Sequence, residues 1–343
     1  MKAAIFHEYG GPEVIKIEDI PEPEPGPGQA LVEVRSVGIN HLDLFVRQGL
    51  PGIKSVIPHI GGSDFTGVIK ALGPGAKGFE VGQRVIDYPL ESFSGVPFYL
   101  CDDPPPGTFE IIGEQSNGAC CEYIAVNTPN LQPLPEGLSF EEGAACPVVF
   151  ITAWRMLTER ACLKAGETLL VQGAGSGVGT AAIQIGKLLG ARVIASTSTP
   201  EKIARAKELG ADEVINYREE SVSKQMRALT GKDGANVVFE HVGEATWEES
   251  VKSAAFHGRI VTCGATTGFN GNTNLAMVFA KQLSILGSTM GSLGTFKKVL
   301  RFLGEGALKP VVDRVMTLDD CRAAHEILEA GDQFGKIVLK VSE

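Results

Sequence analysis

Glu167-Thr168-Leu169-Leu170-Val171-Gln172-Gly173-Ala174-Gly175-Ser176-Gly177-Val178-Gly179-Thr180-Ala181-Ala182-Ile183-Gln184-Ile185-Gly186-Lys187 is the stretch that decides the fold. It reads as an apolar strand, a glycine-rich turn and a helix. Glycines let the backbone approach a pyrophosphate, and the helix N-terminus offers unpaired N–H groups and a positive dipole end. Glycines fall at 173, 175, 177 and 179, so every strict G-x-G-x-x-G frame carries a substitution. A glycine pattern alone is weak evidence; its strand–turn–helix setting gives it weight. A second strand, Gly190-Ala191-Arg192-Val193-Ile194-Ala195, follows. The stretch therefore predicts a dinucleotide seat, and the alternative is a turn with a structural role only.

Outward from this turn the pattern alternates strand and helix. Strands are expected at 168–172, 192–195, 213–216, 236–240, 259–263 and 283–288. Thr199 fits an N-cap and Pro200 the first helical position, with Gly210 ending that helix. Strands separated by helices predict a doubly wound parallel sheet with its ligand at the strand C-termini. Upstream the character differs. Short strands are expected at 3–6, 14–17 and 30–38, between 61 and 73, at 79–86 and at 121–126. Glycine and proline punctuate them, as in a β-rich, barrel-like unit. Residues 89–117 carry little periodicity and read as a long loop. Ser139 with Glu142 resembles a capping box opening a helix. After Ser288 a helix at 295–303 and short strands form a tail expected to rejoin the first domain.

Composition bounds the function. The chain has 343 residues, enough for about two domains, with 43% hydrophobic and 21% charged residues. A net charge of −10 argues against nucleic acid as a main partner. Seven cysteines, with no C-x-x-C pair, suggest a reducing compartment. The apolar run from Ala144 to Trp154 is too short for a membrane span, and the first residues do not read as a signal peptide. A cytoplasmic location is the expectation.

Several motifs carry a resemblance: Gly38-Ile39-Asn40-His41-Leu42-Asp43, Gly73-Pro74-Gly75 with Phe79, Gly82 and Val85, Leu134-Pro135-Glu136-Gly137-Leu138-Ser139, Leu209-Gly210-Ala211-Asp212 and Phe334-Gly335-Lys336-Ile337-Val338. Together they resemble the medium-chain dehydrogenase/reductase superfamily over nearly the whole chain. Within it the chain looks like the quinone oxidoreductase and zinc-free enoyl reductase branches. The resemblance implies an α/β protein: a GroES-like β-rich catalytic domain over 1–129, rejoined by 291–343, and a Rossmann NADP-binding domain over 130–290. It also implies assembly as a homodimer or homotetramer.

The departures from the zinc-dependent members are informative. Asn40 stands where those members have a cysteine ligand, Ser63 where they have a histidine, and Val148 near the third ligand. Asparagine, serine and valine cannot supply a catalytic zinc site, which needs three converging N, S or O ligands. Only Cys101 lies in the 87–117 segment, where those members hold a four-cysteine structural lobe. His41 and His59 could be argued into a makeshift site, but each reads more simply as a surface or hydrogen-bonded histidine. No metal is expected. Hydride transfer onto an activated C=C bond needs none, since hydrogen-bond donors can stabilise the developing enolate.

NADPH is the expected cofactor. NAD-binding sites place an acid about 20 residues after the glycine turn; here Ser196 and Thr197 stand there, followed by Lys202, and the resemblance adds Tyr217 as a phosphate contact. Lys202 also reads as an ordinary solvated helix residue. Further cofactor contacts are expected from Thr152, Gly175, Ser176, Gly177, Val178, Gly264 and Ala265.

For the acceptor, Phe239-Glu240-His241 and Gly62-Ser63-Asp64 are similar to the enoyl-CoA carboxylase/reductases. That branch holds carbon dioxide with asparagine, phenylalanine, glutamate and histidine. Asn40, Glu114 and His241 match three of these; the phenylalanine position is Gly113. Asn40, Glu114 and His241 are the expected catalytic residues, although His241 also reads as a buried histidine satisfied by its neighbours. The leading expectation is reduction of a short enoyl-CoA, with Asn40 orienting the carbonyl. Lys297, Lys298 and Arg301 are then candidates to meet the phosphates, or simply a solvated helix face. A quinone or enone reductase is the alternative, and a non-catalytic NADPH-binding protein the third reading.

Overall fold

The computed structural model describes residues 1–49, 54–92 and 109–342. Cys101 and the proline run at 104–106 lie outside the described residues. The chain forms two units, Met1–Val148 with Ser292–Glu343, and Val149–Gly291.

The first unit opens with β1 (Lys2–Phe6), β2 (Lys16–Asp19) and the long β3 (Gln29–Ile39), then α1 (His41–Gln48). It continues through β4 (His59–Ile60), β5 (Asp64–Leu72), β6 (Arg84–Asp87), β7 (Leu90–Ser92), β8 (Phe109–Ile111), β9 (Tyr123–Asn127), β10 (Leu131–Pro133) and α2 (Phe140–Ala144). Two expectations shift. Residues 12–14 form a 3₁₀ turn starting at Pro12, so the second strand begins at Lys16 rather than 14. The segment at 89–117 is not all loop: β7 and β8 pair antiparallel through Leu90 and Ile111. The Ser139 capping box forms as read. Ser139 Oγ accepts from Glu142 N at 3.1 Å, and Ser139 N donates to the Glu142 carboxylate at 2.9 Å.

After α3 (Pro147–Trp154), the second unit carries β11 (Thr168–Val171), α4 (Gly177–Leu188), β12 (Arg192–Thr197), α5 (Pro200–Glu208), β13 (Glu213–Asn216), α6 (Val222–Leu229), β14 (Ala235–Glu240), α7 (Glu244–Ser253), β15 (Ala254–Thr262), α8 (Leu275–Lys281) and β16 (Ser284–Gly287). Its six strands form one parallel sheet in the order β13-β12-β11-β14-β15-β16. The order reverses between β11 and β14, the switch point where such sheets bind nucleotides. Leu170, Ile194, Val238 and Ile260 pack in the core on this sheet, with no more than traces of exposure.

The tail adds α9 (Leu293–Gly304), β17 (Val312–Thr317), α10 (Cys321–Ala330) and β18 (Lys336–Lys340). α9 starts at Leu293, earlier than expected, because Ser292 caps it through Thr295 N at 3.1 Å. β18 pairs with β3, so the tail completes a mixed sheet, β10-β6-β5-β3-β18-β17, with β9 also on β3. α10 is tied to α1 by Arg47, which is fully buried. Its guanidinium donates to Gly10 O at 3.2 Å, meets His325 Nδ1 at 3.2 Å and pairs with Glu329. A buried, well-partnered arginine of this kind fixes the elements that carry it.

Candidate functional site

In the second unit the glycine turn is built to stay tight. Gly173 has φ +64°, and a Cβ there would meet the His241 ring at 3.0 Å. At Gly179 a Cβ would lie 2.5 Å from Gly173 O, so the helix can approach the strand only without a side chain. Ser176 caps α4, accepting from Gly179 N at 2.9 Å while its hydroxyl donates to Gly173 O at 3.0 Å. The first-turn N–H groups of Gly177 and Val178 have no acceptor within the helix and point along its axis, the arrangement that receives phosphate.

The residues expected at the ribose end lie at the close of β12. Thr197 pairs with Asn216 across the sheet, and Tyr217 N donates to Thr197 O at 3.1 Å, which brings Thr197 and the half-exposed Tyr217 together. Thr199 caps α5 through Lys202 N at 3.3 Å, so Lys202 follows within one turn. Ser196 behaves differently. It is buried, donates to Gln172 Oε1 at 2.6 Å and accepts from Gly173 N at 3.3 Å. Its hydroxyl braces the turn from below. Beyond β15, Gly264 and Ala265 line a cavity of about 390 Å³ with Trp247, Cys263 and Phe269. Thr152 Oγ1 donates to Met290 Sδ at 3.8 Å.

His241 ends up against the glycine turn. Its Nε2 lies 3.0 Å from both Gln172 O and Ser176 Oγ. Burial lowers its pKa, so the neutral ring is the resting form. The neighbouring Glu240 is buried too, and accepts from Val242 N, Gly243 N, Thr246 Oγ1 and Ser250 Oγ. It holds the β14–α7 turn closed, a role the sequence motif that contains it does not announce.

The first unit gathers Asn40, Asp64 and Lys336. Asn40 begins α1; its N–H donates to Asp43 Oδ2 at 2.7 Å, and Asp43 Oδ1 accepts from Gly62 N at 2.8 Å. Its side-chain amide donates to Asp64 Oδ2 at 2.9 Å and to Gly38 O at 3.3 Å, and its oxygen accepts from Lys336 Nζ at 2.5 Å. Lys336 also donates to Asp64 Oδ2 at 3.1 Å, and Val148 N donates to Asp64 Oδ1 at 2.9 Å. Asp64 feels two opposed influences, burial raising its pKa and the Lys336 ammonium lowering it; burial is the larger. In the sequence Lys336 stands only as one residue of the Phe334-Gly335-Lys336-Ile337-Val338 motif. Its distance of 296 residues from Asn40 hides the contact.

Glu114 follows Gly113, whose φ is +78° and whose missing side chain leaves room for Gly62: a Cβ at 113 would lie 2.8 Å from Gly62 C. A phenylalanine at this position has no space, which gives a physical reason for the gap in the carbon-dioxide set. Glu114 is 8% exposed, and burial raises its pKa to about 6. His59 is buried with Nε2 3.1 Å from Gly113 O, and burial lowers its pKa. Among the described residues no group of three histidine, cysteine, aspartate or glutamate side chains could hold a metal ion. Asn40, Ser63 and Val148 do not fit zinc, and Asp64 is already committed to Lys336.

A parallel sheet with a glycine-rich turn at its switch point, joined to a β-rich unit, defines a pyridine-nucleotide-dependent oxidoreductase. Family models agree. Residues 26–136 match the alcohol dehydrogenase GroES-like domain, and residues 177–305 match the zinc-binding dehydrogenase model. Quinone oxidoreductase from Homo sapiens is 31% identical over 347 residues, spanning 99% of this chain and 97% of its own. The Pseudomonas aeruginosa quinone oxidoreductase is 31% identical over 97% of this chain and 98% of its own. Among solved structures, an NAD-dependent alcohol dehydrogenase superposes with a TM-score of 0.95 at 44% identity, covering all of both chains. A crotonyl-CoA carboxylase/reductase in complex with NADP gives 0.90 at 25% identity, over 99% of this chain and 95% of its own. The chain belongs to the medium-chain dehydrogenase/reductase superfamily, in its zinc-free, quinone-oxidoreductase-like branch. It is an NAD(P)-dependent oxidoreductase.

Proposed function

We propose that the protein is an NADPH-dependent reductase of quinones and conjugated enones. The observation that carries this is the set of residues at the metal-ligand positions of the zinc relatives. Asn40 and Val148 there are bonded to Asp64, which is paired with Lys336, and Ser63 is buried beside them. Such a set cannot activate an alcohol through a metal, whereas acceptors with a conjugated carbonyl need only hydrogen-bond donors. The curated quinone oxidoreductase relatives support the same class. When bound, reduced nicotinamide supplies the hydride. Glu114, with its pKa near 6, is the proton donor to the reduced acceptor. His241 serves the cofactor instead, since its ring is engaged with the glycine turn.

NADPH is favoured over NADH by the lack of a carboxylate from Ser196 to Thr199 and by Thr197, Lys202 and Tyr217 at the end of β12. A second reading, a short enoyl-CoA, is supported by the likeness to the carboxylase/reductase and by one feature of the first unit. A groove of about 510 Å³ there is lined by Lys77, Phe79, Thr128, Gln132 and Lys297, a suitable chemistry for a phosphate-bearing tail. Arg301 is less suited, being 3.7 Å from Glu305. Assembly as a homodimer or homotetramer is supported by β16, which has a neighbour on one side only among the described residues, and by exposed Leu275, Phe279 and Ile285 near it. A cytoplasmic location is consistent with the free cysteines among the described residues, and no described helix is long and apolar enough to cross a membrane.

Following NADPH oxidation with 1,2-naphthoquinone, a simple alkenal, crotonyl-CoA and acryloyl-CoA tests the reading. Turnover with the quinone and alkenal is expected; turnover with the thioesters alone would replace this reading with the second.

A further inference from the structure

Two buried thiols meet in the first unit, and no step of the reduction uses them. Cys120 and Cys321 are each 2% exposed, and their side chains are hydrogen-bonded to one another. Cys321 opens α10, and His325 follows one turn later among the buried residues of that helix. The His325 side chain hydrogen-bonds Cys321. Arg47 holds the ring in turn: an arginine can only donate, so His325 Nδ1 accepts from it at 3.2 Å.

The other titratable groups around the pair are Asp43, one turn before Arg47 on α1, and Cys121. Cys121 points elsewhere, its Sγ donating to Tyr123 O at 3.2 Å and lying 3.6 Å from Gly118 O. The hydrogen bond from Cys120, and then that from His325, lower the Cys321 pKa against the opposing effect of burial. The same thiol–thiol bond, with burial, raises that of Cys120. Thiolate character therefore gathers on Cys321, the form of sulfur that attacks.

Cys120 is also tied to the backbone that leads into Ser63. Its N–H donates to Gly61 O at 2.9 Å, and Ala119 N donates to Gly62 O at 2.9 Å. Gly62 has φ +98°, and a Cβ there would lie 2.9 Å from both Cys120 N and Cys120 Sγ. Gly62 N donates to Asp43, whose other oxygen receives Asn40 N. Drawing the Cys120 sulfur toward α10 thus pulls on the backbone beside Asn40 and Ser63.

We propose that Cys120 and Cys321 are a peroxide-sensitive dithiol that closes to a disulfide and, through Gly61 and Gly62, slows the enzyme. The loss of activity rests on the reductase reading above; the disulfide does not. Hydrogen peroxide, close to water in size, is the oxidant suited to sulfurs this buried. The Cys321 thiolate attacks one peroxide oxygen, the O–O bond breaks, and a sulfenic acid and hydroxide result. The Cys120 sulfur then attacks the sulfenic sulfur, forming the S–S bond and displacing a second hydroxide. The Cys120 proton and the one Cys321 had released turn both hydroxides into water. Two thiols lose two electrons, and one peroxide gains them. A small dithiol reverses the change.

For the test, reduced full-length protein is treated with hydrogen peroxide, the remaining thiols are blocked, and its peptides are mapped by mass spectrometry without reduction. A Cys120–Cys321 cross-link that dithiothreitol reverses is expected; the exposed Cys162 gauges the dose. Cys120 and Cys321 recovered as free thiols when Cys162 is fully oxidised, or Cys321 found only as sulfinic acid, overturns the proposal. Cys121→Ser should keep the cross-link and Cys321→Ser should lose it; a bridge made by Cys121 instead overturns the pairing. Amide exchange over 60–64 should rise on oxidation in the wild type and not in Cys321→Ser. Quinone turnover should fall at least ~5-fold and return with dithiothreitol. Exchange unchanged by a complete cross-link, or turnover unchanged in an active enzyme, overturns the coupling. Should no acceptor be turned over, the reductase reading fails, while the cross-link and the exchange still decide the thiol pair.

Discussion

Glu114 holds its proton to a higher pH than an exposed glutamate because burial disfavours its charge, raising the pKa to about 6 from 4.5. Between those values the folded chain binds more protons than the unfolded one, so stability rises as pH falls through 6 and is penalised above it. Glu114→Gln should therefore raise stability at pH 7 and above by up to about 2 kcal/mol, read from denaturant midpoints, and leave it unchanged near pH 4. If Glu114 is the proton donor, the same variant should lose the fall in kcat that wild type shows as pH rises through 6. At the ribose end, Lys202→Ala should raise the KM for NADPH at least ~10-fold and hardly change that for NADH, since only the former carries the extra phosphate. Equal changes would remove Lys202 from the phosphate site.

At the level of elements, the β11–α4 turn was legible because its chemistry is local. An apolar run, small residues and a capping serine determine the geometry within a dozen residues. The α5 start was legible for the same reason: Thr199 accepts from Lys202 N, and Pro200 needs no donor partner there. Thr199→Ala should cost about 1 kcal/mol in chemical denaturation. Gly179→Ala tests the turn more severely. Its Cβ would meet backbone, Gly173 O, which cannot rotate away, so NADPH affinity should fall steeply in a fluorescence titration. A near-normal affinity would show that the turn can open without loss. What was not legible depends on partners far away in sequence. β7 and β8 are three residues each and earn their pairing from one another, and no periodicity marks so short a ladder. Lys336 looked like one residue of a strand motif, and its meaning came only from β18 lying beside β3. The sequence leaves His241 open as a catalytic residue or a buried, hydrogen-bonded one; in the fold its Nε2 lies 3.0 Å from Gln172 O and from Ser176 Oγ, contacts no local pattern announces.

On the scale of the whole molecule, β16 is the last strand of the parallel sheet among the described residues, and Leu275 and Phe279 expose 72% and 73% of their surfaces nearby. Light scattering after size exclusion should report a dimer or tetramer, and charged substitution of Phe279 with Ile285→Glu should shift it toward monomer; a monomeric wild type would contradict the assembly proposal. The acceptor decides the function, and steady-state NADPH oxidation by the wild-type protein, run side by side with 1,2-naphthoquinone, an alkenal and crotonyl-CoA, measures it. The highest kcat/KM is expected for the quinone or alkenal, without added metal and undiminished by a chelator. Turnover restricted to the thioester, or activity that disappears on chelation and returns with zinc, would contradict it.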